Sequence, residues 1–354
     1  MKIRVLVVDD SATARELVVQ ILNSDSELQV IGTVKNGFEA FEFVQHAKPD
    51  AITMDLHMPR MGGIEATRKI MQTCPTPIII VSGSLEKDEV KYTFLALEAG
   101  ALAVVHRPPG VEHLEHEQKA RELISMVKLM SEIKVVKRWA PSNKTSLGNM
   151  PLSGSQQIQV VVMGASTGGP PALRTILEKL PANFPVPILI VQHITYGFLE
   201  GFAEWLNQSS SLPVRIAKQG EKALPGNVYL APDDCHTKIS PDKRIELEKG
   251  GAENGHLPSV SSLFKSAAES FGSNAIGVIL TGMGKDGARE LKLMKEKGGV
   301  TIAQDEETSA VYGMPGEAEK IGGAAYVLPL SVISQVLSDL VLGSDLRIKG
   351  TQSA

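Results

Sequence analysis

A serine stands in the run Gly164-Ala165-Ser166-Thr167-Gly168-Gly169, directly after the apolar stretch 159–163 and before a helical pattern over 171–180. A glycine-flanked serine at a strand-to-helix turn presents its hydroxyl at a helix N-terminus, where backbone N–H groups favour developing negative charge. The chemistry that suits it is nucleophilic attack on an acyl carbon; a phosphate-cradling loop is the other use of such glycines. A serine nucleophile needs a base, and the apolar stretch 187–191 ends in Gln192-His193. His236, in Ala231-Pro232-Asp233-Asp234-Cys235-His236, competes for that role on equal grounds, and spacing does not separate the two. A carboxylate must then orient the imidazole. Asp286 follows the stretch 275–280 through Thr281-Gly282-Met283-Gly284-Lys285, with Asp233, Asp234 and Asp305 as rivals. Backbone amides of that glycine-rich turn can face a substrate oxygen. The order serine, histidine, acid differs from that of α/β-hydrolases, which place the acid before the histidine, so an ordinary lipase is disfavoured.

A second constellation lies near the start. Asp9 and Asp10 end the apolar run 3–8, and Asp55 ends the run 51–54, so in a parallel sheet all three carboxylates reach the carboxyl edge. Three acids repel one another, and a hard cation such as Mg²⁺ relieves that repulsion while leaving room for waters and a phosphoryl oxygen. One of the carboxylates can then act as nucleophile toward phosphate.

The elements that must carry these residues are short. Apolar runs at 3–8, 51–54, 77–81 and 101–105 alternate with helical patterns such as 12–23 and 63–71, which predicts β–α units around a parallel sheet. Near-helical spacing of Leu123, Ile124, Val127, Met130 and Ile133 predicts a helix over 111–136 that closes the first domain and extends outward. Small, polar and turn residues over 140–155 predict a flexible linker, whose nearby basic residues Lys134, Lys137, Arg138 and Lys144 are assigned no function. The alternation resumes with runs at 160–163, 187–191, 228–231, 275–280 and 299–303. The expected division is 1–122, a helical extension and linker over 123–156, 157–346, and a tail over 347–354.

Composition agrees with two ordinary globular domains in 354 residues, 43% of them hydrophobic and 21% charged. A net charge of −4 carries no basic footprint, so nucleic acid is not the expected partner. Cys74 and Cys235 make neither a disulfide framework nor a four-cysteine zinc site, which suits a reducing cytoplasm. No apolar h-region and no stretch of spanning length is seen, so neither secretion nor membrane insertion is expected.

Val7-Val8-Asp9-Asp10-Ser11, Met54-Asp55-Leu56-His57-Met58-Pro59-Arg60-Met61-Gly62-Gly63, Val81-Ser82-Gly83 and Arg107-Pro108 resemble the receiver domain of two-component response regulators over residues 1–109. That resemblance implies phosphorylation of Asp55, Mg²⁺ held by Asp10, Asp55 and the backbone carbonyl of His57 with Asp9 assisting, and Ser82 as the switch hydroxyl. Arg107 stands where that family has lysine, and Gly62 where it usually has Asp or Asn. Over residues 157–345, the Ser166 run, Gln192-His193 with Gly197-Phe198, Leu280-Thr281-Gly282-Met283-Gly284-Lys285-Asp286-Gly287-Ala288, and Ala303-Gln304-Asp305-Glu306-Glu307-Thr308 with Tyr312-Gly313-Met314-Pro315 resemble the chemotaxis protein-glutamate methylesterase (CheB) family. Thr195-Tyr196 replaces a Pro-Pro common in that family.

The resemblance implies two doubly wound parallel-sheet α/β domains, a flavodoxin-like receiver followed by a larger Rossmann-like methylesterase domain. In the second, Ser166 is the implied nucleophile, His193 the base, Asp286 its orienting acid and the Met283 amide an oxyanion donor, with Thr167 beside the site and no cofactor. It further implies methyl-accepting chemoreceptors as substrate, through glutamate methyl esters and glutamine amides, and a chemotaxis histidine kinase as phosphodonor. The rival reading is a signalling adaptor with an idle hydrolase site.

Overall fold

The computed structural model describes residues 2–83, 87–133, 135 and 157–342, and the chain divides between residues 139 and 140 into two compact units. In the first, strands and helices alternate as β1 (Ile3–Val8), α1 (Ala12–Asn23), β2 (Leu28–Val34), α2 (Gly37–Ala47), β3 (Ala51–Met54), α3 (Gly63–Thr73), β4 (Ile78–Ser82), α4 (Lys87–Ala99), β5 (Ala103–His106) and α5 (His116–Ser131). The strands form one parallel sheet in the order β2-β1-β3-β4-β5. Every residue of β3 and β4 is buried, as expected for central strands covered by helices on both faces. β2 escaped the sequence reading because it is an edge strand whose residues are mostly half-buried or exposed, so its run is broken by polar positions.

Local signals set the helix starts. Ser11 accepts from the Ala14 amide to cap α1, and Asn36 accepts from the Glu39 amide to cap α2. α5 is shorter than the predicted 111–136. It keeps Leu123, Val127 and Met130, each 0% exposed, in the first unit's core, so the expected boundary at 122 falls inside this helix and the helix does not extend outward there. The linker expected over 140–155 and the tail over 347–354 lie outside the described residues.

The second unit runs β6 (Val160–Ala165), α6 (Gly169–Leu177), β7 (Ile188–Gln192), α7 (Leu199–Asn207), β8 (Val214–Ile216), β9 (Val228–Leu230), β10 (His236–Ile239), β11 (Ile245–Glu248), α8 (Val260–Phe271), β12 (Ala275–Ile279), α9 (Ala288–Glu296), β13 (Val300–Gln304), α10 (Met314–Lys320), β14 (Tyr326–Leu328) and α11 (Leu330–Leu342). Seven strands pair in parallel in the order β14-β13-β12-β6-β7-β9-β8, while β10 and β11 form a separate antiparallel pair that the sequence reading did not include. From β6 the chain first builds outward through β7, then returns to β12 on the other side of β6. Right-handed crossovers in opposite directions put α6 and α9 on opposite faces, and they open a crevice at the carboxyl ends of β6 and β12, where doubly wound sheets place their sites.

The core beneath that crevice joins the sheet to α8 and α9 through residues such as Val162, Ile279, Leu263, Phe264 and Leu291. Phe264→Ala removes a ring that is 0% exposed, and we expect it to lower the unfolding free energy of the second unit by about 3–5 kcal/mol. The measurement is the denaturant midpoint of that unit's transition; an unchanged midpoint would mean that the core closes over the gap.

Candidate active site

Ser166 follows β6 at the crevice. Its amide donates to the Thr281 carbonyl at 3.1 Å, which fastens the end of β6 to the end of β12. Close backbone approach is what the surrounding glycines allow. A Cβ on Gly169 would lie 2.0 Å from Gln192 Oε1, and one on Gly282 would lie 2.7 Å from Ser166 Cβ, while Gly168 turns the chain into α6 at φ +77°. The Gln192 amide nitrogen, at the end of β7, donates to the carbonyls of both Ser166 (2.9 Å) and His193 (2.7 Å), so one side chain holds the serine loop against the histidine loop. The His193 amide continues the ladder to the Ala165 carbonyl at 2.9 Å.

The His193 ring meets Asp286 through Nε2 to Oδ2 at 3.0 Å. An ionised carboxylate only accepts, so Nε2 carries the proton and Nδ1 keeps its lone pair. Nδ1 is buried and has no hydrogen-bond partner, which leaves it as the nitrogen able to take a proton. Asp286 is 1% exposed and is the acceptor for much of the site: Ser259 Oγ (2.8 Å), the Val260 amide (2.7 Å), the Ser261 amide (3.2 Å) and the Asn254 side-chain amide (3.3 Å) all donate to it. Burial by itself raises the Asp286 pKa. The His193 hydrogen bond and charge, with Ser261 and the Val260 amide, outweigh it and hold the carboxyl well below the usual range.

Among the residues that sequence left in competition, geometry separates His193 from His236. His236 is buried with both ring nitrogens on backbone, Nε2 on the Gly251 carbonyl at 3.0 Å and Nδ1 accepting from the Ser259 amide at 3.2 Å, so it braces the α8 entry. Asp233 accepts from the Gly197 amide at 3.1 Å, and Asp305 accepts from the Thr308 amide and hydroxyl at 3.0 and 2.6 Å; both shape loops and neither meets a histidine ring. Gly282 accepts from the Met314 amide at 2.8 Å and donates to the Val311 carbonyl at 3.0 Å, which pins the turn carrying Met283, while Thr281 Oγ1 donates to the Thr167 carbonyl at 2.9 Å. The sequence reading named Gln192 without a role and missed Asn254, His256, Ser259 and Ser261. Serines and an asparagine around a helix start read as ordinary caps, and nothing in their spacing points to a carboxylate far along the chain.

In the first unit, Asp9 and Asp55 are buried and Asp10 is exposed, and one oxygen of each lies within 4.8 Å of the others. Arg107 Nη2 bridges Asp9 Oδ2 at 3.0 Å and Asp55 Oδ1 at 2.9 Å. Desolvation pushes Asp55 up to about 6 against the opposing pull of the Arg107 charge, and raises Asp9 for the same reason. Three hard oxygen donors with more negative charge than one guanidinium neutralises suit a divalent cation. Ser82 is buried at the end of β4, and its carbonyl accepts from the Arg107 amide at 2.7 Å. His57 is exposed, its ring meeting Tyr92 edge-on at 5.3 Å. A Cβ on Gly63 would lie 2.1 Å from the Asp55 carbonyl oxygen, so glycine there lets α3 start against the end of β3.

Comparison with known proteins gives both units a family. The CheB methylesterase model matches residues 161–337, and the response regulator receiver domain model matches residues 5–119. A protein-glutamate methylesterase/protein-glutamine glutaminase of Nitrosospira multiformis is 53% identical over 344 residues, covering 96% of this chain and 97% of that protein. One of Syntrophus aciditrophicus is 51% identical over 345 residues, covering 96% and 98%. The crystal structure of the Thermotoga maritima CheB methylesterase catalytic domain aligns at 42% identity with a TM-score of 0.51, covering 52% of this chain and all of that one. With its β6–β12 crevice preceded by an acidic receiver sheet, the chain belongs to the family of CheB methylesterases that carry a response regulator receiver domain.

Proposed function

We propose that this chain is a phosphorylation-regulated hydrolase that removes methyl groups from glutamate γ-methyl esters of methyl-accepting chemoreceptors, and deamidates receptor glutamines, with Ser166, His193 and Asp286 as its catalytic group. The observation that carries the reading is the His193–Asp286 hydrogen bond, with an unpartnered Nδ1, on the loop that Gln192 ties to the serine. His193 Nδ1 takes the Ser166 proton as Oγ attacks the ester carbon. Asp286 stabilises the imidazolium through Nε2–H without taking that proton. The oxyanion forms at the N-terminus of α6, where the Met283 amide on its pinned turn, with Thr167 beside it, supplies the donor. Collapse returns the proton to the departing methoxide, giving methanol and an acyl-enzyme; water, deprotonated by the same nitrogen, then attacks, and free glutamate and Ser166 are restored. With a glutamine amide the leaving group is ammonia. The esterase site needs no cofactor for these steps.

In the receiver, Asp55 is the proposed phosphorylation site, with Mg²⁺ held by Asp10, Asp55 and the His57 carbonyl and with Asp9 assisting. Mg²⁺ would supply charge neutralisation of the phosphoryl oxygens. Ser82 and Arg107 are the proposed switch groups, and a chemotaxis histidine kinase is the proposed phosphodonor. Arg107 keeps the cationic charge with a planar fork in place of an ammonium point charge. Among the described residues no helix is long and apolar enough to cross a membrane, and the cytoplasm is the proposed location.

Ser166→Ala is expected to abolish methanol release from methylated chemoreceptor membranes; release at the wild-type rate would exclude Ser166 as the nucleophile, and no release from the wild type with several receptors would favour the adaptor reading. Asp55→Asn should remove the stimulation of that release by a small-molecule phosphodonor with Mg²⁺, and stimulation that persists would exclude Asp55 as the switch. Burial raises the Asp55 pKa to about 6 in the fold against an ordinary 3.8. A carboxyl raised by folding disfavours the folded state once ionised, so the penalty is full above the folded value and fades as pH falls toward the ordinary one. Asp55→Asn should therefore raise the melting temperature of the receiver at about pH 7.5 without divalent cation, and the difference from wild type should shrink at about pH 5.

A further inference from the structure

His256 presents its ring face to His193. The two imidazoles lie 3.8 Å apart between centroids and 4° from parallel. This contact is built, because the segment that delivers His256 also grips Asp286. Glu253 and His256 exchange a pair of backbone hydrogen bonds, each 3.0 Å, across a two-residue turn in which Asn254 and Gly255 take φ of 53° and 84°. Asn254 then reaches Asp286 and Ser261 through its side-chain amide, and Ser259, Val260 and Ser261 close on Asp286 directly. One short stretch thus holds the edge-on partner of His193 and covers its face.

The ring needs that second contact. His193 has a single side-chain hydrogen bond, through Nε2, and its Nδ1 has none. Torsion about the bond joining an imidazole to its Cβ is broad, so one hydrogen bond leaves the ring plane loosely defined. We propose that His256 is a positioning residue, whose stacked ring fixes the plane of His193 so that Nδ1 exchanges its proton with Ser166 along one direction. This deepens the hydrolase reading above and rests on it. Burial and the His193 charge lower the His256 pKa, against the pull of Asp286, which disfavours a second positive charge on the stacked ring.

The test compares His256→Ala and His256→Phe in the full chain. Methanol release from methylated receptor membranes gives kcat and KM, and proton NMR follows the His193 Nε2–H signal. His256→Ala should lower kcat about 10- to 100-fold with KM nearly unchanged, because it misaligns a proton transfer and removes no substrate contact. His256→Phe supplies a planar ring without nitrogens and should recover most of the rate. The Nε2–H signal should be sharp in wild type and His256→Phe, and exchange-broadened in His256→Ala. A wild-type rate in His256→Ala overturns the proposal. So does His256→Phe as slow as His256→Ala, which would assign the effect to the imidazole nitrogens, or a loss carried by KM. If wild type itself releases no methanol, the hydrolase reading fails, and an equally sharp Nε2–H signal in His256→Ala still overturns the stack.

Discussion

A carboxylate stripped of water must be surrounded by donors, and Asp286 imposes that requirement on the whole catalytic end of the second unit. It is 1% exposed, and its donors come from the turn before α8, from the first residues of α8 and from the loop after β7. The loop after β12 that carries it is therefore held against three other segments. The helix N-terminus contributes free amides that any α-helix leaves unsatisfied, so the acid and α8 each complete the other's hydrogen bonding. The result is a site whose acid is rigid and ionised, and whose histidine is oriented by an anchor that has little freedom of its own.

The two units share a topology logic and use it for opposite electrostatics. Each sheet is parallel and reverses its strand order beside its first strand, so loops from neighbouring strands converge at the carboxyl edge. In the receiver, that convergence gathers Asp9, Asp10 and Asp55, and negative charge accumulates faster than Arg107 offsets it. In the second unit, the same convergence gathers a hydroxyl, an imidazole and amide donors around one buried anion. The first arrangement calls for a cation and a phosphoryl group. The second calls for a substrate whose transition state develops negative charge.

Glycines set how closely these loops meet. Gly169 leaves room for Gln192, and Gly282 lets the β12 loop lie against Ser166. Both contacts join residues distant in sequence, so side-chain volume, and not local backbone preference, is what keeps glycine there. Gln192 works in the same way: its amide spans two carbonyls that only the pairing of β6 with β7 brings together.

Residue pattern by itself determined that there are two α/β units, where most of the buried strands lie, and that Ser166, His193, Asp9, Asp10 and Asp55 stand at strand ends, because buried central strands are apolar runs and their termini are punctuated by polar residues. Sequence spacing left His193 and His236 equivalent and gave Asp286 three rivals, since residues that follow different strands are related only through strand order. Tertiary structure decided that His193 turns an edge to Asp286 while His236 spends both nitrogens on backbone. It decided that serines at the start of α8 serve a distant carboxylate, and that His256 covers the face of the His193 ring. It also revealed β2, whose half-exposed edge position erases the apolar run by which a strand is recognised. The physical reason is common to all of these: burial leaves a mark on each residue type, whereas a hydrogen bond or ring contact between distant segments leaves its mark on a pair, and the pair exists only once the sheet has set its order.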